Sequence, residues 1–190
     1  MESLNFKPFP KLITERLILR QMNQDDKNEI FALRSNKEMS KYISRPLVKE
    51  IDEALQYINM INEGIDRNEW VLWAITLKES DQLIGTICLW NFAIEQSKGE
   101  VGYELSPELQ GKGIMQEAIE TVLDYGFKVL NLQTIEGDVQ SGNQKSIQLL
   151  ERNQFSNKGK IERESTSEEN KYSYIFELTR EKFYTGAGKK

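Results

Sequence analysis

Between residues 101 and 128 the chain reads strand, glycine loop, amphipathic helix, and that order restricts the fold more than any other stretch. The strand-like run Val101-Gly102-Tyr103-Glu104-Leu105 passes through Ser106-Pro107 into Gln110-Gly111-Lys112-Gly113-Ile114-Met115. Apolar residues at 115, 118, 119, 122, 126 and 130 then define one helix face. A strand that delivers a glycine loop to a helix N-terminus builds a cradle for phosphate. Glycines admit close backbone approach, the N–H groups turn inward, and the helix dipole favours negative charge. Two familiar phosphate motifs fail on this loop. The pattern G-x-x-x-x-G-K-[ST] meets Ser106 at its first glycine and Gly113 at its Ser/Thr position. The pattern G-x-G-x-x-G fits Gly111 and Gly113 and stops at Gln116. What remains is Q-x-x-G-x-small, with Met115 at the small position.

The absence of histidine narrows the chemistry next. With none in 190 residues, a histidine-based triad is excluded, the commonest zinc ligand is missing, and so is the usual general base. Acid–base work falls to carboxylates, Tyr, Lys or water, and no metal is expected. Cys88 is the only cysteine, so no intrachain disulfide forms, and a cytoplasmic location is the default expectation. The apolar runs are too short to span a bilayer and no N-terminal signal pattern is present, so no membrane role is expected. A net charge of −5 argues against nucleic acid and favours a cationic substrate.

Periodicity and turn residues organise the chain as one α/β domain with a mixed sheet. Residues 1–11 form an irregular lead-in, 12–180 the domain, and 181–190 a C-terminal tail. Strands are predicted over 15–22, 70–77, 82–91, 100–106, 133–139, from Phe155 onward and over 171–179. Helices are predicted from an Asp25 or Asp26 cap to about Arg34, over 49–64, after the glycine loop, and from an Asn143 cap. Residues 39–46 read as a loop and 162–170 as an exposed hairpin loop. Gly126, on the buried face of its helix, is expected to allow close packing on the sheet.

Several separated motifs together resemble the GNAT acetyltransferase superfamily, in its ribosomal-protein N-acetyltransferase (RimJ/RimL-type) branch. They are T-E-R-L-I-L-R at Thr14–Arg20, Ile84-Gly85-Thr86, and G-E-V-G-Y-E-L-S-P-E-L-Q-G-K-G at Gly99–Gly113. Glu117-Ala118 and N-Q-K-S-I-Q-L-L-E at Asn143–Glu151, ahead of Phe155, complete the set. The resemblance covers roughly residues 12–180. It implies a mixed, mostly antiparallel sheet of about seven strands with a splayed parallel pair, flanked by about four helices.

It also implies acetyl-CoA as co-substrate, held in the splay. The backbone of Tyr103, Glu104 and Leu105 would pair with the pantetheine amides, and the loop Gln110, Gly111, Lys112, Gly113, Ile114, Met115 and Gln116 would hold the pyrophosphate. Lys112 either adds charge there or points to solvent. Asn143 is the expected partner of the pantetheine arm, and a helix N-cap by its position. Three residues depart from the family's pattern. Met115 replaces a small residue, Gln154 replaces a glycine before Phe155, with Asn153 expected to take the left-handed helix end, and Leu150 replaces a tyrosine general acid. Ser146 is then the nearest candidate to protonate or hydrogen-bond the leaving thiolate. Glu100 is the first choice of general base, with Asp138 and Glu136 as rivals on the neighbouring strand.

The activity implied is acetyl transfer to a primary amine, either a protein N-terminal α-amine or a small amine such as a polyamine, by direct attack in a ternary complex. A non-catalytic acyl-CoA-binding sensor or scaffold of the same fold is the alternative; competition by ATP or NAD would favour a third, nucleotide-binding reading. Trp70, Trp73 and Trp90 read as core or rim packing, Cys88 as a buried strand residue, and Tyr42 as a loop residue beside the acceptor site or a lid contact. Homodimers are common in the family, while the residues themselves leave the oligomeric state open.

Overall fold

The computed structural model describes residues 4–43, 45–162 and 172–187. In chain order the elements are β1 (Leu12–Ile13), β2 (Leu17–Arg20), α1 (Lys27–Ser35), α2 (Lys37–Ser40) and α3 (Ile51–Asp66). Then follow β3 (Val71–Leu77), β4 (Ser80–Ala93), β5 (Lys98–Leu105), α4 (Ile114–Lys128), β6 (Thr134–Gln140) and α5 (Gln144–Arg152). The chain closes with β7 (Ser156–Glu162), β8 (Tyr172–Thr179) and α6 (Arg180–Ala187). Eight strands form one sheet in the order β1-β2-β3-β4-β5-β6-β8-β7. Every neighbouring pair is antiparallel except β5 and β6. That parallel pair needs a crossover, and the glycine loop with α4 provides it.

Helices cover both faces of the sheet. On one face α4 packs against β2, β4 and β6 and α5 against β6; α1 and α3 pack on each other and on β3 and β4. Alternation along β4 separates the two layers, since Leu89 approaches Gly126 of α4 and the adjacent Cys88 points the other way. The core is continuous, with Leu19, Ile58, Trp73, Ile87, Phe127 and Phe176 almost fully enclosed. Gly126 sets how closely α4 sits on the sheet. A Cβ there would lie 2.8 Å from Ile135 Cδ1 and 3.2 Å from Leu89 Cδ1, so the close packing expected of it is present.

Differences from the expected elements have local causes. Asn23 caps the 3-10 turn that leads into α1, its side chain accepting from the Asp25 N–H, while Asp26 holds the N-cap position of α1 without a side-chain cap hydrogen bond. Asp26 is drawn inward, accepting from the Asn23 backbone N–H and from Arg20, whose guanidinium it meets at 2.7 Å. Asn36 accepts from the N–H groups of Glu38 and Met39, which starts α2 at Lys37 and carries it two residues into the stretch read as loop. Residues read as the C-terminal tail begin in α6, where Phe183 stacks on Phe127 with ring centroids 5.1 Å apart. The hairpin loop expected over 162–170 lies outside the described residues from 163 onward.

Candidate active site

The parallel strands β5 and β6 fork. They pair at Lys98↔Thr134, Gly99↔Ile135 and Glu100↔Glu136, and from there β5 runs on to Leu105 and β6 to Gln140 without a further rung. At about 3.3 Å per residue the unpaired arm of β5 is roughly 17 Å long. Its backbone groups on the β6 side are therefore presented to the gap, and the glycine loop stands at the far end.

The loop is held open by glycine chemistry. Gly111 and Gly113 have φ of 77° and 74°, a region that costs other L-residues about 1–2 kcal/mol. A Cβ built at Gly111 meets nothing within 4 Å, so open space lies beside the loop, which a phosphate requires. Gln110 spans its start: Nε2 donates to the Leu105 carbonyl at 3.1 Å and Oε1 accepts from Lys145 Nζ at 2.9 Å. Lys112 is exposed. Ile114 is buried at the head of α4, and Met115 is partly buried against the core, so the larger residue at the small position is absorbed by packing. Gln116 ties α4 to α5, donating to Asn153 Oδ1 at 2.9 Å. The two left-handed glycines at a helix N-terminus and the open space beside them fit a pyrophosphate.

A support absent from the expected site comes from the N-terminal motif. Glu117, in the first turn of α4, accepts from Thr14 Oγ1, from the Arg16 N–H at 2.8 Å and from Arg16 Nε at 2.6 Å. Arg16 Nη1 also donates to the Lys112 carbonyl at 3.1 Å. Burial pushes the Glu117 carboxyl up, but the hydrogen bonds from Thr14 and Arg16 outweigh it and hold the group below the usual range. The signal available in the sequence was the unassigned Thr14-x-Arg16 spacing.

Past the fork, alternation sends successive β5 side chains to opposite faces. Tyr103 faces α5: the Ser146 side chain lies against its phenol, whose Oη is buried without a hydrogen bond of normal geometry. Burial pushes that phenol up to about 12, with the Ser146 contact opposing. Asn143 caps α5, its Oδ1 accepting the Ser146 N–H at 3.2 Å, which is the cap role expected of it.

Glu100 and Glu104 share the other face. Glu100 stands at the last paired rung and accepts from Asn91 Nδ2 at 3.2 Å. Of its rivals, Glu136 accepts from Lys98 Nζ at 2.8 Å, which raises the lysine's pKa, and Asp138 is exposed. Glu104 is buried and engaged by its side chain, meeting Arg45 Nη2 at 2.7 Å and accepting from Thr86 Oγ1 at 3.4 Å. Next to them the Arg34 guanidinium sits 3.7 Å over the Tyr57 ring centroid, and burial lowers its pKa. Arg34 and Arg45 stand 70 and 59 residues from Glu104, so no motif reveals this cluster. It pins the segment between α2 and α3, which carries Arg45, onto the sheet.

Several residues sit where only side-chain packing could decide. The left-handed residue after α5 is Gln154, with φ 66°, not Asn153. The Asn153 amide is occupied, donating to the Leu149 carbonyl at 2.8 Å and to Gln116 Oε1 at 3.2 Å. Leu150 is fully enclosed, with its Cδ1 3.0 Å from a Cβ built on Gly137. Trp73 is core and Trp90 is 43% exposed, and burial pushes the Cys88 thiol up to about 12. Tyr42 is partly buried beneath Lys41 Nζ, 5.2 Å from its ring centroid. Among the described residues no group of three or more His, Cys, Asp or Glu is placed to hold a metal, and no helix is long and apolar enough to cross a membrane.

Comparison with known proteins agrees with this geometry. The family model of the acetyltransferase (GNAT) domain matches residues 16–156. The uncharacterized N-acetyltransferase p20 of Bacillus licheniformis is 37% identical over 150 residues, 78% of this chain and 83% of that protein. Spermidine N-acetyltransferase from Vibrio cholerae, solved with CoA and spermine, superposes with a TM-score of 0.77 at 25% identity, covering 88% of this chain and 98% of that one. RimL, a ribosomal-protein α-N-acetyltransferase solved with CoA, shares the fold with a TM-score of 0.79 at 16% identity, over 88% and 96% of the two chains. A forked parallel pair, a glycine loop at its end and these relatives agree: the chain belongs to the GNAT acetyltransferase family and is an acetyltransferase enzyme.

Proposed function

We propose that this enzyme transfers an acetyl group from acetyl-CoA to a primary amine, by direct attack within a ternary complex. The fork between β5 and β6, ending at the glycine loop, is the observation that carries the reading. In it, backbone groups of Tyr103, Glu104 and Leu105 bind the pantetheine arm, and the N–H groups from Gly111 to Gln116 bind the pyrophosphate. Gln110, Ile114 and Met115 fix the loop that presents them, and Asn143 fixes the start of α5. Acetyl-CoA supplies an activated acyl group; the protein aligns it and manages protons.

The two faces of β5 divide that work. An alkylammonium ion has no lone pair, so Glu100 at the fork accepts its proton, directly or through water. Ser146, on the opposite side of the strand, donates a hydrogen bond to the sulfur as the C–S bond breaks. The backbone N–H near Leu105 stabilises negative charge on the carbonyl oxygen. The acceptor is a protein N-terminal α-amine or a small amine; relatives named for spermidine and for ribosomal proteins support both classes.

The test couples binding to turnover. Acetyl-CoA is titrated by calorimetry, and thiol release is followed with polyamines and with peptides of free N-terminus. Binding with amine-dependent release is expected. Binding without release for any amine would assign a non-catalytic acyl-CoA module instead. No binding at high micromolar acetyl-CoA would end the coenzyme reading.

A further inference from the structure

The Thr14–Arg20 segment carries a motif to which the acetyl-transfer scheme gives no task. In the fold it places a guanidinium at the phosphate loop, about 100 residues away in sequence. Each nitrogen of Arg16 has a distinct environment. Nε is fixed by Glu117 Oε2 at 2.6 Å, and Nη1 donates to the Lys112 carbonyl at 3.1 Å. Nη2 has no hydrogen-bond acceptor among the described residues. It lies 3.4 Å from where a Cβ of Gly113 would stand, on the rim of the loop. The side chain is 48% exposed, so a ligand reaches it from solvent.

Two nitrogens held and the third presented is how a planar guanidinium is set for an oxyanion. The rigid fork loses less entropy on binding than a free lysine would, and it keeps its charge at every accessible pH. Glu117 makes this possible without competing for the ligand, because its carboxylate is already filled by Thr14 and by the Arg16 backbone. A simple clamp would be satisfied by Nε and Nη1 alone. It leaves unexplained why the remaining donor sits beside a glycine that has φ of 74° and no side chain to obstruct it.

We propose that Arg16 is a phosphate-binding residue of the coenzyme site, with Nη2 donating to a phosphate oxygen of CoA. This rests on the coenzyme reading above. Two sources share that chemistry, the diphosphate and the 3′-phosphate, and the ligands of the test separate them.

Calorimetric titrations of the wild-type protein, Arg16→Gln and Arg16→Lys would use CoA and dephospho-CoA, with pantetheine measured by displacement of CoA. Arg16→Gln is expected to weaken CoA by roughly three- to thirtyfold, the half-exposed position giving less than a buried charge-assisted bond. Pantetheine affinity should stay unchanged, and the salt dependence of CoA binding should flatten. An equal loss for dephospho-CoA identifies the diphosphate as the partner, and a loss confined to CoA identifies the 3′-phosphate. Arg16→Lys keeps the charge without the fork and should fall between; it also serves if Arg16→Gln does not fold. Unchanged CoA affinity in a folded variant, or a loss just as large for pantetheine, would overturn the proposal. Absence of CoA binding by the wild-type protein would instead overturn the coenzyme reading itself.

Discussion

Replacing Gly113 by alanine separates the conformation of the phosphate loop from everything around it. The residue has φ of 74°, and a Cβ there would meet Arg16 Nη2 at 3.4 Å, an ordinary contact. No clash is created, so the cost is conformational: about 1–2 kcal/mol for an L-residue in the left-handed region. For a domain of this size that corresponds to a drop of roughly 2–8 °C in melting temperature. The chain can reduce the strain by rotating the peptide units on either side of residue 113, but the N–H groups then leave the arrangement that faces a phosphate. One lost hydrogen bond to a charged group costs about 1.5–3 kcal/mol, or roughly 10- to 150-fold in affinity.

Gly111→Ala is the internal control. Its φ is 77°, so the strain is alike, but its Cβ would stand in open space, away from Arg16 and outside α4. Both variants should lose similar stability, and Gly113→Ala should lose more affinity for acetyl-CoA, because residue 113 is the N-cap of α4 and its carbonyl carries the first helical bond, from the Glu117 N–H at 3.1 Å. Differential scanning fluorimetry and calorimetry on the same samples provide both numbers. A folded Gly113→Ala protein with lowered melting temperature and undiminished affinity would refute the loop as the pyrophosphate site.

Ser146→Ala should lower kcat by roughly tenfold to a hundredfold with coenzyme affinity nearly intact, the effect of removing one hydrogen bond to a developing charge; a lower melting temperature with undiminished single-turnover transfer would make the hydroxyl structural. Glu117 carries a pH signature: its folded pKa lies below the unfolded value of about 4.3, so its stabilisation is complete above that pH and is lost as pH falls through the folded value. Melting temperature should therefore fall more steeply below about pH 4.3 in the wild-type protein than in Glu117→Gln, and parallel curves would refute the clamp. Leu150→Tyr, which restores the family's usual residue, should destabilise by about 2–6 kcal/mol, summing overpacking against Gly137 and a buried hydroxyl without a partner; a variant as stable as the wild-type protein and faster in turnover would show that the position does face the chemistry.

What the sequence revealed and what it hid follow from the range of each interaction. The Asn143 cap, the period of α4 and the close approach at Gly126 are legible because helix caps and amphipathic faces are written within a few residues. Glycine at 111 and 113 is legible for the same reason. The Arg16–Glu117 clamp and the Arg45–Glu104 pair join residues 101 and 59 positions apart; the Thr14-x-Arg16 spacing marks one end of the first without naming its partner, and nothing local marks the second. Asp26 does take the N-cap position of α1, but its carboxylate turns back to the Asn23 N–H and to Arg20 six residues upstream instead of capping that helix. Asn153 fails in the same way, its amide spent on α4 and on its own helix while Gln154 takes the left-handed turn.

The side chains beside the fork also bear on how acid–base chemistry proceeds without histidine. Position 150 is closed against Gly137, so a proton donor there would face the core, and the hydroxyls left on that side are Ser146 and Tyr103. Tyr103, pushed up to about 12 by burial, stays protonated throughout the assay range. Neither hydroxyl changes state between pH 5 and 9. The carboxylate and the amine acceptor sit on the opposite face of β5 in the proposed scheme. The pH dependence of acetyl transfer should then show a rising limb set by deprotonation of the acceptor, with no falling limb from a histidine-like acid. In the proposed scheme the strand keeps base and donor on opposite faces, so that a carboxylate can serve as base without drawing the proton of the donor across from it.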